Sequence, residues 1–319
     1  MKNSLLILLL TVLLLPQCKT EQTTEIDLKQ TPARAELFGE GVVSTPLYER
    51  DMAISPSGDE LIFTLADYKQ SIMCLVRMVQ KDGKWSQKEL LPFSGQYKDI
   101  EPCFSVDGSR LYFASTRPMD GDTTRKDYNI WVSEKAGSSW GAPRPLSPVV
   151  NSTNNEFYPS VARNGSLYFT SVRKNGFGQE DIFLSRFVDG IYQEPQPLDT
   201  TINTGHFEFN AYVTPDEDLI VFGSFGRKDG LGGGDLYYSK KDVQGHWQRA
   251  VNMGPKVNGA GLDYCPFIDM QRGNFYFTSS RMIVPNKVNS PADLEDLANK
   301  TLNGMGNIYR IGLKELDLQ

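Results

Sequence analysis

Ser105-Val106-Asp107-Gly108-Ser109-Arg110-Leu111-Tyr112-Phe113 decides the fold, because the chain writes this phrase five times. An earlier copy reads Ser55-Pro56-Ser57-Gly58-Asp59-Glu60-Leu61-Ile62-Phe63, and a later one Ala162-Arg163-Asn164-Gly165-Ser166-Leu167-Tyr168-Phe169. Looser copies occupy 214–222 and 269–277. The closing Phe falls at 63, 113, 169, 222 and 277, at intervals of 50, 56, 53 and 55. Each copy reads as strand, turn, strand. The Gly or Asp in the middle tolerates positive φ and makes the hairpin tight. A period of about 50 residues suits a propeller blade of four strands.

Working outward, the hairpin supplies strands a and b of each blade. Strand c follows a longer loop: Ser71-Ile72-Met73-Cys74, Asn129-Ile130-Trp131-Val132, Asp181-Ile182-Phe183-Leu184, Asp235-Leu236-Tyr237-Tyr238 and Asn307-Ile308-Tyr309-Arg310. Strand d opens with Trp85, Trp140, Tyr192 or Trp247. The fifth copy has no strand d. Leu37-Phe38 and Val42-Val43-Ser44, near the other end of the chain, have the spacing of a d-strand tail. The expected fold is therefore all-β: a five-bladed β-propeller of four-stranded blades, closed by an N-terminal strand that completes the last blade and removes an open sheet edge. One short helix is expected at Ser290-Pro291-Ala292-Asp293, which has an N-cap, a Pro at the first helical position and a following acid.

Composition agrees. The 319 residues include 14 Tyr, 17 Phe, 28 Gly and 18 Pro, a mixture of strand and turn formers. Lys and Arg number 33 against 39 Asp and Glu, a net charge of -6, which argues against a nucleic-acid partner. His206 and His246 are the only histidines, so a multi-His metal site is not expected. Cys74, Cys103 and Cys265 have no metal-ligand spacing and read as small buried hydrophobes, with a Cys74–Cys103 disulfide as the alternative.

Met1-Lys2-Asn3, an apolar run over 5–15 and then Pro16-Gln17-Cys18 resemble a bacterial lipoprotein signal, with Gln17 where that signal prefers a small residue. The resemblance implies a signal peptide over 1–17 and lipidation of Cys18; the polar stretch after it lacks apolar periodicity and reads as a flexible tether over 18–33, and the repeats place the propeller over 34–315. The resemblance also implies a membrane-anchored lipoprotein of the cell envelope, at the outer membrane, facing the periplasm or the outside. Contact with the membrane is expected through the lipid alone.

Blade 2 carries Asp99, Pro102, Phe104-Ser105, Asp107-Gly108, Leu111-Tyr112-Phe113, Ser115-Thr116-Arg117 and Asn129-Ile130-Trp131; blade 3 repeats much of this. These phrases resemble the WD40-like, TolB-like propeller repeat often called PD40. Pro143-Arg144-Pro145-Leu146 with Asn155-Glu156-Phe157-Tyr158-Pro159 is similar to propellers of Bacteroidota envelope proteins. The resemblance implies architecture and address, and leaves the ligand open.

Aligning the repeats puts an acid at one position in all five: Glu49, Asp99, Glu156, Glu208 and Asp263. Each opens strand a. The ends of the b strands bring Arg117, Arg173 and Arg281 to the same rim, with Arg227 and Lys69 slightly later; Asn129, Asp181, Asp235 and Asn307 open the c strands there. Two readings stand. The acids fix the a–b–c corners, or they line a polar funnel for a cation, sugar or peptide end. His206 breaks the repeat beside Glu208. Phe157, Tyr158, Phe207, Phe209, Tyr212 and Tyr264 are candidates for stacking on sugars, with packing between blades as the alternative. The expected function is a non-catalytic, monomeric binding or scaffold module for an envelope protein or glycan. The alternative is a glycoside hydrolase-like enzyme that recruits Glu49, Asp51, Glu156, Glu208 or Asp263, since such chemistry needs one raised carboxylic acid and a second carboxylate. No cofactor is expected, apart from Ca2+ as a candidate for the central channel.

Overall fold

A computed structural model describes residues 26–119 and 121–318. Cys18 and the signal-like segment lie outside the described residues. The five hairpins form the inner halves of five antiparallel sheets arranged in a ring. The a strands are Tyr48–Ile54, Asp99–Phe104, Glu156–Val161, Phe207–Val213 and Asp263–Asp269. The b strands are Glu60–Ala66, Arg110–Ser115, Leu167–Ser171, Leu219–Phe225 and Asn274–Ser279. The c strands are Met73–Lys81, Asn129–Ala136, Asp181–Ser185, Asp235–Lys240 and Asn307–Gly312. Strand d is a short outer segment, such as Gln196–Pro197 in blade 3.

Blades stack face to face, so their middle strands are covered on both sides. All six residues of Asn274–Ser279 are buried. This explains why strand b reads as a continuous apolar run rather than an alternating one. The core is correspondingly divided into seams between blades. Phe104 and Trp140 of blade 2 pack with Ala53, Ile62 and Leu75 of blade 1, for example.

The last blade closes as expected. Glu36–Leu37 pairs with Asn307–Gly312, with Leu37 opposite Tyr309. Part of the stretch expected to be a free tether is docked. Ile26 and Leu28 are buried in the seam between blades 5 and 1. Trp85 Nε1 donates to the Ile26 carbonyl at 2.9 Å, and Asn274 Nδ2 donates to the carbonyls of Leu28 and Gln30 at 2.9 and 3.0 Å. Two apolar side chains in a polar segment are enough to seat it, because their carbonyls find buried donors that would otherwise be unsatisfied. The short helix is Pro291–Ala298. Its Asp293 accepts from the Ser290 N–H at 3.2 Å, and none of its residues is buried.

The ring has two distinct faces. Strand a starts, and the b–c loops emerge, on one face. The a–b turns lie on the other. Each a strand is interrupted by a one-residue register shift at the same place. The residue at each bulge has positive φ: Asp51 at 59°, Glu101 at 63°, Tyr158 at 50°, Asn210 at 51° and Cys265 at 52°. Left-handed backbone is uncommon for non-glycine residues, and a bulge re-aims the side chain at that position. Here it turns five side chains towards the axis.

Candidate functional site

Two polar layers cross the inner strands. The first is the sequence-predicted ring. Glu49, Asp99, Glu156, Glu208 and Asp263 all have no exposed surface. Asp99 accepts from Ser94 Oγ at 2.8 Å and Ser115 Oγ at 2.7 Å, and pairs with Arg117 Nη1 at 2.9 Å. Glu156 accepts from the Ser152 N–H at 3.0 Å and Oγ at 2.6 Å, and pairs with Arg173 at 3.1 Å. Glu208 repeats this with Thr204 and with Arg227 at 3.0 Å. Asp263 accepts from the Gly259 N–H at 2.6 Å, with Arg281 at 3.6 Å. Arg227 thus belongs to the ring although its alignment position is later. Glu49 has no arginine. It is held by Thr45 and by Asn307 Nδ2 at 3.1 Å, while Lys69 lies over the Tyr68 ring instead.

The arginines do more than neutralise acids. Arg117, Arg173, Arg227 and Arg281 each donate to a carbonyl of the chain entering the blade: Phe93, Val150, Ile202 and Val257. Their guanidinium groups lie over strand b and c rings, such as Tyr237 under Arg227 and Tyr309 under Arg281. The next residues extend the pattern. Asn151, Asn203 and Asn258 each bond both backbone groups of a strand c residue in the preceding blade. Ser44 does the same at the closing seam. Burial pushes the carboxyls of Glu49, Asp99, Glu156 and Asp263 up, against the pull of their hydrogen bonds. This layer ties each blade to the next.

The second layer lies two residues further along, at the bulges. Arg50 Nε pairs with Asp51 at 2.7 Å and Arg50 Nη2 with Glu101 at 2.8 Å. Asn210 Nδ2 donates to Glu101 Oε1 at 3.1 Å, and the Tyr158 N–H to Glu101 Oε2 at 2.6 Å. The Cys265 thiol donates to Asp51. Blades 2 and 4 are not neighbours, so the Asn210–Glu101 contact spans the axis. Tyr158 Oη, from blade 3, likewise donates to the Pro266 carbonyl of blade 5 at 2.9 Å. Burial, partly offset by Arg50, raises Glu101 to about 8. Burial and then Asp51 raise the Cys265 thiol well above its usual value. Cys265 is therefore part of a polar cluster rather than a small hydrophobe in an apolar seam. Cys74, Cys103 and Cys265 are all free thiols.

No group of three or more His, Cys, Asp or Glu among the described residues is placed to hold a metal. Between Asp51 and Glu101 the chain supplies its own cation, Arg50. His206 stands exposed at the rim, its ring 3.0 Å from where a side chain on Gly226 would begin.

Asp51, Tyr158 and Tyr264 are among the site candidates singled out from the sequence, and Cys265 is named there only as a small hydrophobe; Arg50, Glu101 and Asn210 are not named. A signal was present. Each bulge residue follows a ring acid by two positions, and there the five repeats all differ.

The b–c face carries most of the large apolar side chains that stand exposed among the described residues. Tyr68 and Ile72 belong to blade 1, Phe177 to blade 3, Phe225 and Leu231 to blade 4, and Ile283 to blade 5. Tyr68 is 68% exposed and Ile72 64%.

No protein-family model matches this sequence, and no curated protein matches it. Solved structures do match in fold. A glycoside hydrolase aligns with a TM-score of 0.57 at 8% identity, covering 89% of this chain and 92% of that one. The catalytic domain of a GH62 alpha-L-arabinofuranosidase from Coprinopsis cinerea aligns with a TM-score of 0.51 at 11% identity, over 90% of this chain and 100% of that one. A putative TolB from Agrobacterium tumefaciens aligns with a TM-score of 0.48 at 16% identity, over 77% and 74% of the two chains. At these identities the likeness is one of fold.

Proposed function

We propose that this propeller is a non-catalytic binding module whose b–c face docks a protein of the bacterial envelope. The exposed apolar side chains gathered on that face carry this reading. Exposed apolar side chains concentrated on one face favour an interaction surface there. The state of the carboxylates supports it too. The rim acids are fully buried, four of the five beside an arginine, and Asp51 and Glu101 share Arg50. Glycoside hydrolysis needs carboxyl groups that reach the scissile bond.

The address fits the same picture. Lipidation of Cys18 would anchor the chain eight residues before Ile26. Eight residues span at most about 29 Å when extended. The docked segment 26–32 meets the starts of strand b and the ends of strand c in blade 5, on the face of the a–b turns. An anchored propeller would hold that face near the membrane and turn the apolar rim away from it.

A glycan is the second partner class, favoured by the exposed rings of Tyr68, Phe177 and Phe225. Photo-crosslinkers placed at Phe177, at Ile283 and at Val243 on the outer edge test the proposal in envelope preparations. Discrete protein adducts at the first two positions and none at Val243 are expected. Equal labelling at all three overturns a specific face. A thermal shift with envelope oligosaccharides, lost in Phe177→Ala, would move the assignment to a glycan.

A further inference from the structure

The opposite end of the channel holds a cavity that the docking face does not use. It has a volume of about 450 Å3 and opens between the a–b turns. That lies within the roughly 300–1,000 Å3 of small-molecule sites. Glu101 and Tyr158 stand at its inner end, so the axial cluster stops it there. Its walls are hydrocarbon and ring: Ile54, Phe104, Val161, Tyr212, Phe267 and Ile268 among others. Tyr212 and Phe267 meet edge to face at 5.5 Å.

Most polar side chains of this cavity are already committed elsewhere, Gln271 at the exposed mouth being the exception. Tyr158 Oη and Tyr212 Oη donate to the Pro266 and Ile268 carbonyls. Ser160 Oγ accepts from the Val213 N–H at 2.9 Å. Ser55, Ser105 and Thr214 are tied to Asp59, Asp107 and Asp218 within their own turns. Two charge pairs stand at the mouth, Arg163 with Asp216 at 2.8 Å and Arg272 with Asp269 at 2.8 Å, while Asp218 accepts from Thr214. Water in such a place finds few of the two to four partners it needs. Displacing poorly held water with apolar atoms gains affinity. The apolar walls offer a charged ligand no counter-charge, so its desolvation there would go largely uncompensated.

We infer that this cavity is a binding site for an uncharged, largely apolar small molecule, entering between the a–b turns. The inference is independent of the docking face, which lies at the other end of the channel.

N-phenylnaphthylamine, an uncharged aromatic fluorophore, is the probe. Titration into the intact protein should give saturable, one-to-one binding with a micromolar dissociation constant. Val106→Trp in the blade 2 turn and Met270→Trp in the blade 5 turn each place a bulky ring at the mouth. Both positions are at least partly exposed on turns, so folding should survive, as an unchanged melting temperature would verify. Each should weaken binding about tenfold or more. Two variants in separate blades keep the test valid if one misfolds. Phe177→Ala, on the other face, should leave binding unchanged. No saturable binding overturns the inference. So does binding that ignores both tryptophans, or that is lost in Phe177→Ala, because the probe would then be on the docking face.

Discussion

Two rings of polar residues cross the inner strands of this propeller two positions apart, and they obey opposite rules. At the first, every blade has an acid, and all five are held by entry-loop donors, four of them beside an arginine. At the second, the five blades contribute Asp51, Glu101, Tyr158, Asn210 and Cys265, no two alike. The first ring solves a problem that recurs in every blade: how to satisfy a buried corner where three strands and an entering chain meet. The second has one axis to fill. Five identical side chains would meet themselves there, and five like charges could not. Fivefold repetition therefore marks what each blade needs, and its breakdown marks what the molecule needs once.

The sharpest way to break this comparison is to remove a corner acid. Asp99→Asn leaves Arg117 buried beside a neutral amide, and should cost about 3–5 kcal/mol in urea unfolding. Glu156→Gln should cost about the same, because Arg173 and its carbonyl partner repeat the arrangement. A loss below about 1 kcal/mol in either variant would remove the corner role.

The axial ring should respond differently. Arg50→Met strips the shared cation from Asp51 and Glu101 and leaves two buried carboxyls without it. A loss of about 2–4 kcal/mol in urea unfolding is expected, because Asp51 loses its buried cation and Glu101 its charged donor. A loss below about 1 kcal/mol would show that the guanidinium is only packing.

A smaller effect follows from Glu101 itself. Its folded value near 8 lies above the usual 4.5, so the native state keeps a proton that the unfolded chain releases. Its stabilising contribution is full below about 4.5 and is lost as pH rises towards about 8. Melting temperatures of wild type and Glu101→Gln, compared between pH 5 and pH 8, should show the wild type losing ground as pH rises. Parallel curves would count against the raised value. The smallest effect belongs to the docking face. Phe177→Ala should change stability by less than about 0.5 kcal/mol, since its side chain is half exposed.

The fold was legible because its signal is local and repeated. Turns such as Val106-Asp107-Gly108 and strands such as Leu111-Tyr112-Phe113 announce themselves within ten residues, and the closing Leu37 strand follows from counting. The corner acids were legible for the same reason. The axial cluster was not. Arg50 and Glu101 are 51 residues apart, Cys265 and Asp51 are 214 apart, and no single blade shows why they belong together. The bulge that turns them inwards leaves no residue signature of its own, since Asp, Glu, Tyr, Asn and Cys all adopt it. The docked segment 26–32 was hidden by composition: Ile26 and Leu28 are too few to raise a polar stretch above the background of a linker.

The closing seam also sets a schedule for the chain. Ser44 bonds Ile308 across 264 positions, and Leu28 bonds Asn274 across 246. Four blades can fold from neighbouring sequence as it leaves the ribosome. The fifth must wait for the strand Asn307–Gly312, with Glu36–Leu37 held unpaired meanwhile. Such long-range pairing is slow, because loop closure precedes its reward. Until it forms, blades 1 and 5 expose apolar flanks and a free strand edge, the surfaces on which chains aggregate. Final ring closure is thus the step at which a chaperone would have most to protect.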